Sequence, residues 1–449
     1  MTPTLYRAIE HISDEINDEY TLVKCLRKGI IYHHASIPDN VRYFVEYLYS
    51  TCPEIKYVIA NSTLLEGVNF PISQIFLLDI KKGKGYLTPA ELRNLTGRVC
   101  RFNDIFNETH PDLSKLSPKI YFVENEIYLN KNTNLENYLK NHLSEEQLLV
   151  DDVQNILLDK KEVSESQDQK KLKVQQEFLE NFQKDTIPNY LGRHAQTEIG
   201  RLCVQNNLTG VDIFSSEDQM EVLRKTCTEA SSATEVIELI YKLFSPLITE
   251  QQRKNKDFGP FFRGKGLRGY ALFLDWKLKN KSFNEMVYLV VRHWSRLKGT
   301  PKSFIYVGAR WGNVALKGQM GNSRLNWVDV NKLSSSQLIN LAIVRVKEEM
   351  DYIDNFLMRF IEIIHDIKLI QESVYLKLKY GTEDPFEIVL IKNGFSNGLA
   401  RLLHSNKYQP FVQIDMEENI VELDHSLINL MKQEEENSLL SFEAETYVN

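Results

Sequence analysis

The chain lacks several things, and each absence narrows what it can be. No run of about 18 uncharged apolar residues occurs, and residues 1 to 20 show no basic–apolar–small leader pattern, so nothing in the sequence points to a membrane span or to secretion. Cysteine is scarce. Cys25, Cys52, Cys100, Cys203 and Cys227 are the 5 present, an odd number without a C-x-x-C pair, which excludes a disulfide framework and fits a reducing, cytoplasmic setting. No G-x-x-x-x-G-K-[ST] loop is found, and no acidic D-E-x-H or D-E-A-D block follows an apolar strand. Without the lysine and amides that cradle phosphates, or the carboxylates that hold Mg²⁺, the chain has no ATP-hydrolysing machinery of its own. Nor is there an excess of positive charge: the formal net charge is -7, so nucleic acid must be met by a local basic surface or not at all. Internal repeats are absent.

What is present is ordinary in bulk and unusual in three places. A 449-residue chain with 43% hydrophobic and 26% charged residues reads as globular, with roughly three domains at about 150 residues each. Short apolar runs at Gly29–Tyr32, Tyr57–Ala60 and Ile75–Ile80 have the pattern of parallel strands buried on both faces. Polar turns and helical stretches follow, Asp39–Tyr49 and Thr88–Arg93 among them, and this alternation predicts βαβ units. Between Lys28 and Phe102 stand three blocks: Gly29-Ile-Ile-Tyr-His33-His34-Ala35-Ser-Ile-Pro38 with Arg42, then Thr63-Leu-Leu-Glu66-Gly67-Val-Asn69-Phe-Pro71, then Asn94-Leu-Thr-Gly97-Arg98-Val-Cys100-Arg101. Open α/β sheets bind ligands beyond the carboxyl ends of their strands, which is where the second and third blocks fall. Arg98 and Arg101, spaced i, i+3, share a face if they sit on a helix, and two guanidinium forks suit one polyanion. Alone, such a pair is usually a solvated helix face. His33 and His34 have no Cys or His partner at ligand spacing, and strand alternation sends them to opposite faces, so no metal site is assigned.

Taken in order, the blocks resemble the second RecA-like domain of superfamily 2 DExH helicases, within them the Ski-like group, where they read GVxxHHA with Arg, xTxxLxxGVNxP and QxxGRxGR. The resemblance implies an α/β fold, a partial RecA-like parallel sheet over 1–140, followed by mainly α accessory regions. It implies that Arg98 and Arg101 are arginine fingers to the ATP γ-phosphate, and that Glu66, Gly67, Asn69, Asn94 and Gly97 lie near the nucleotide. His33, His34, Arg42 and Thr63 would face the nucleic-acid backbone. Ser36 and Cys100 depart from the pattern, each standing where the group has glycine. ATP and Mg²⁺ would be bound only in a complete motor, whose first RecA-like domain or a companion protein is expected to be supplied separately. Large bacterial helicases of anti-phage defence, the Hachiman type among them, are similar in having such a motor followed by a long helical region.

Past Arg101 the chain is read as strand Lys119–Glu124, a polar helical connector over 141–189, a helical or winged-helix-like domain over 190–300, and a mainly helical domain over 301–449. Residues 253 to 281 interleave Arg253, Lys254, Lys256, Arg263, Lys265, Arg268, Lys277, Lys279 and Lys281 with Phe258, Phe261, Phe262, Tyr270 and Trp276. Basic groups that track phosphates beside stacking aromatics are how single strands are held, and Arg263, Lys265 and Arg268 are the residues chosen for it. The alternative, weighed equally, is a solvated loop whose aromatics tuck into the core. One amphipathic helix is expected from Ile339 to Ile364, a helix interrupted near Asn393-Gly394 over 388–403, and a hairpin over 411–424. Two functions follow: part of an ATP-dependent DNA or RNA helicase, or a non-catalytic subunit that keeps the fold and binds a protein. An adjacent reading frame with the missing nucleotide loop favours the first, and failure to bind nucleic acid at low salt favours the second.

Overall fold

The computed structural model describes residues 2–34, 36–61, 72–82, 85–99, 119–124, 134–142, 195–208, 213–255, 257–264, 266–308, 311–315, 325–415 and 420–448. They form two compact units, Met1–Ile9 with Leu22–Val163, and Glu10–Thr21 with Ser164–Asn449.

In the first unit Gly29 sets the entry to the sheet. Its φ is +70°, and a Cβ there would lie 2.3 Å from the Glu54 carbonyl oxygen, so neither conformation nor space admits a side chain. The chain continues into β1 (Ile30–His33), which pairs in parallel with β2 (Tyr57–Ala60), Ile30 opposite Tyr57 and His33 opposite Ala60. A parallel pair needs a crossover, and the Asp39–Thr51 helix provides it, burying Val41, Phe44, Val45 and Leu48. The arrangement is repeated further on. β3 (Gln74–Leu77) precedes a short hairpin of β4 (Lys81–Lys82) and β5 (Gly85–Tyr86), and pairs in parallel with β6 (Lys119–Phe122). The Pro89–Thr96 helix starts with a reciprocal Thr88–Glu91 cap and proline in its first turn. Its Leu92 and Leu95 pack with Ile75, Leu77, Ile80, Leu87, Val99 and Tyr138.

The βαβ reading therefore matches in element type and nearly in boundaries, and one expectation is corrected. The strands are not covered on both faces. Along β2, β3 and β6 exposure alternates, leaving Tyr57 64%, Ile59 59% and Phe76 58% exposed. Phe76 and Tyr121 stack across β3 and β6 at 4.7 Å. Among the described residues each parallel sheet is two-stranded.

The second unit is mainly helical. The helices Glu198–Gln205, Ile213–Arg224, Ala233–Phe244, Gly259–Phe262, Leu267–Leu278, Met358–Asp366 and Glu372–Tyr380 close around Ile240, Leu243, Phe244, Phe261, Phe262 and Phe360. This core draws residues from both sides of position 300, because the chain returns to it through the longest helical stretch among the described residues. That stretch is not one regular helix. It runs as Ser335–Tyr352, a π-turn at Ile353–Leu357, and Met358–Asp366. The first part packs along the Phe283–Ser295 helix, the last part on the main core. Ahead of Glu198, the buried Glu217 carboxylate accepts from the Gln196 and Thr197 amides at 2.9 Å and from the Thr197 hydroxyl at 3.0 Å.

A smaller core lies at the carboxyl end. The Pro385–Lys392, Asn397–His404, Ser426–Gln433 and Ser438–Tyr447 helices enclose Leu390, Leu399, Leu403, Leu427 and Met431. The expected break at Asn393-Gly394 separates the first two, with Gly394 at φ +95°. Among the described residues of this unit β7 (Phe304–Tyr306) pairs antiparallel with β8 (Trp327–Asp329), and β9 (Val412–Asp415) with β10 (Ile420–Leu423).

Candidate nucleotide and nucleic-acid sites

The histidine block closes β1. Alternation separates its two histidines as expected: His33 points inward and is 4% exposed, with its Nε2 2.8 Å from Glu46 Oε1 on the crossover helix. His34 is half-buried, stacks on Tyr32 at 5.5 Å, and its Nδ1 accepts from the Ser36 amide at 3.0 Å. His33 therefore ties a strand to a helix. Arg42, on the first turn of the Asp39–Thr51 helix, pairs with Asp39 at 2.8 Å and lies over the Tyr43 ring at 5.0 Å, 23% exposed.

The second block, with Thr63, Glu66, Gly67 and Asn69, lies outside the described residues, as do Cys100 and Arg101. The third block begins on the Pro89–Thr96 helix, where Asn94 is exposed. That helix ends earlier than the helical spacing of the arginines assumes. Gly97 is its C-cap, and Arg98 follows in a turn before Val99 bridges in parallel to Ile72. Arg98 is thus off the helix and 6% exposed. It is a buried turn residue and not part of an open helix face, so the shared-face argument does not apply to it.

The basic segment of the second unit resolves in favour of the bland alternative for its aromatics. Phe258, Phe261, Phe262, Tyr270 and Trp276 are 7%, 0%, 0%, 6% and 6% exposed. They are core and cannot stack on bases. Most of the cations are also committed. Arg253 donates to the Ser245 carbonyl and hydroxyl at 3.0 and 2.8 Å and to the Phe262 carbonyl. Lys277 pairs with Asp354, Lys279 with Asp275 and Lys281 with Glu285. Arg263 donates its Nε–H to the Arg253 carbonyl at 2.6 Å, yet is exposed. Arg268 is exposed on the Leu267–Leu278 helix and lines a cavity of about 750 Å³ with Thr234, Glu238, Leu272 and Asp275. Lys265 lies outside the described residues.

The charged face of the Ser335–Tyr352 helix, given no role from sequence, builds a cluster. Arg345 donates to Glu348 at 2.7 Å and to Glu349, at the i, i+3 and i, i+4 positions. The Trp311 indole donates to the other Glu348 oxygen at 2.8 Å. Arg345, Glu348 and Glu349 line a second cavity of about 390 Å³ with Tyr270, Tyr306 and Tyr352. Burial pushes the Glu349 carboxyl above the usual range, and the adjacent Arg345 opposes this. The spacing R-x-x-E-E was readable; its burial was not.

With these positions known, the comparisons add a class. Part of the chain is similar to DNA helicases, which marks a helicase-related region. The ATP-dependent DNA helicase Hel308 of Thermoplasma acidophilum is 34% identical over 94 residues, covering 20% of this chain and 14% of the helicase. Hel308 of Thermoplasma volcanium is 30% identical over 84 residues, 18% of this chain and 12% of that protein. The match thus spans a small fraction of either relative. No protein-family model matches the chain. No helix among the described residues is long and apolar enough to cross a membrane.

Proposed function

We propose that this chain carries the second RecA-like part of an ATP-dependent nucleic-acid helicase of the superfamily 2 DExH class, Ski-like group, followed by helical accessory regions. Similarity to DNA helicases over 94 residues is the observation that carries the reading. The parallel pairing of β1 with β2 and of β3 with β6 agrees with it. In this reading Arg101 supplies charge to the γ-phosphate, with Glu66, Gly67 and Asn69 beside the nucleotide. ATP and Mg²⁺ are held jointly with a first RecA-like domain, because this sequence contains no phosphate loop and no acidic Mg²⁺ block. His34, Arg42 and the exposed Arg263 and Arg268 take the strand's phosphates. A defence role of the Hachiman type is the biological setting that the sequence resemblance suggests.

The test is direct. The chain should bind a fluorescent single-stranded DNA at low salt without ATP, with affinity falling as salt rises. No binding at low salt to either DNA or RNA overturns the reading and favours the non-catalytic subunit. In a complete motor, Arg101→Ala should lower ATP turnover by about 100-fold or more with an unchanged melting temperature. Unaltered turnover removes the arginine-finger assignment.

A further inference from the structure

We infer that Asp384, Glu387 and His404 form a divalent transition-metal site of the zinc class, independent of the helicase reading. The three donor atoms lie within 4.8 Å of one another. His404 Nδ1 is 3.1 Å from Glu387 Oε1 and 3.7 Å from Asp384 Oδ1. A tetrahedral ion with bonds of about 2.1 Å separates its ligand atoms by about 3.4 Å, between those two distances. His404 thus stands at ligand spacing from both carboxylates, whose own oxygens, within 4.8 Å of each other, would close on the ion.

The fold fixes each donor before any ion arrives. Asp384 is the N-cap of the Pro385–Lys392 helix and accepts from the Glu387 amide at 3.1 Å, which sets both carboxylates on one side of the first turn. His404 is the last residue of the Asn397–His404 helix, and its ring is held by stacking on Phe386 at 5.0 Å. Both helices are clamped by the same small core through Leu390 and Leu403.

Charge gives the second, independent reason. Among the described residues the ion pairs of Asp384 and Glu387 are both with His404. One imidazole thus faces two carboxylates, with the Glu387 side chain 14%, His404 35% and Asp384 38% exposed. A divalent cation balances what the imidazole cannot. One imidazole nitrogen and two carboxylate oxygens suit Zn²⁺, and three protein donors leave one tetrahedral position for water. Bound there, the ion would clip the start of one helix to the end of the next.

The tag-free full chain, stripped with chelator, should take up one Zn²⁺ by calorimetry, give an intense visible band with Co²⁺, and melt higher with metal than without. His404→Gln or Glu387→Gln should weaken Zn²⁺ binding by more than about 100-fold and abolish the cobalt band. His365→Gln, at another histidine–carboxylate pair, should leave both unchanged. Lack of Zn²⁺ uptake by the native chain, or uptake that survives both ligand substitutions, overturns the inference. If circular dichroism shows one variant misfolded, the other decides, and Asp384→Asn, which keeps the helix cap, stands in if both fail.

Discussion

Arg268 offers the sharpest measurement of nucleic-acid contact in the second unit. It is exposed, whereas Arg253, Lys277, Lys279 and Lys281 already face carboxylates or carbonyls within the fold. A single-strand phosphate contact contributes about 0.7 to the slope of log affinity against log salt. Arg268→Ala should therefore flatten that slope by about 0.7. At roughly 0.1 M salt the same loss is about 5-fold in affinity, or about 1 kcal/mol at about 1.4 kcal/mol per decade. Fluorescence anisotropy with a labelled oligonucleotide, run across salt for both proteins, measures slope and affinity together. Arg253→Ala is the counterpart: three acceptors lose their donor, so it should lower the unfolding midpoint. An Arg268→Ala slope equal to the native one would refute the reasoning and return that helix face to plain solvation.

Other substitutions test the framework. Gly29→Ala forces a side chain into positive φ and against the Glu54 carbonyl, and should destabilise the first unit by more than about 1 kcal/mol in urea unfolding, with Gly97→Ala, at a helical φ, costing less. Burial and the neighbouring Glu217 push the Cys203 thiol up to about 12, so iodoacetamide at pH 8 should spare it until the protein unfolds. Glu349 has its carboxyl raised by burial, so the native state holds its proton more tightly than the unfolded chain does. Its contribution is therefore greatest below the unfolded carboxylate range and is lost as pH rises through that range toward the native value. Glu349→Gln should flatten this fall in denaturant titrations, and an identical pH profile in both proteins would remove Glu349 as its source.

The first unit was legible where local chemistry and pattern agree. The apolar runs from Gly29, Tyr57 and Ile75 and the Thr88–Arg93 stretch placed β1, β2, β3 and the Pro89–Thr96 helix to within a few residues. The end of that helix was not legible: nothing in Gly97-Arg98-Val99 distinguishes a continuing turn from a chain re-entering a β-bridge, so Arg98 was placed on a face it does not occupy. Aromatic burial in residues 258–276 stayed one of two equal alternatives, because four glycines and three cations read as loop until Phe360 is seen to pack on Phe262. The Asp384, Glu387 and His404 cluster escaped for another reason. Its donors sit on two helices whose crossing only the small core determines.

The π-turn at Ile353–Leu357 has a consequence for how the second unit tolerates change. It inserts a phase offset, so residues before it address the Phe283–Ser295 helix and residues after it address the main core. Removing a single residue within the turn would reset the downstream part by roughly 100°. Phe360 and Ile364 would then swing away from their cavity while everything upstream stayed seated. This short stretch acts as the differential that lets one spindle drive two gears, and its length is more constrained than its composition.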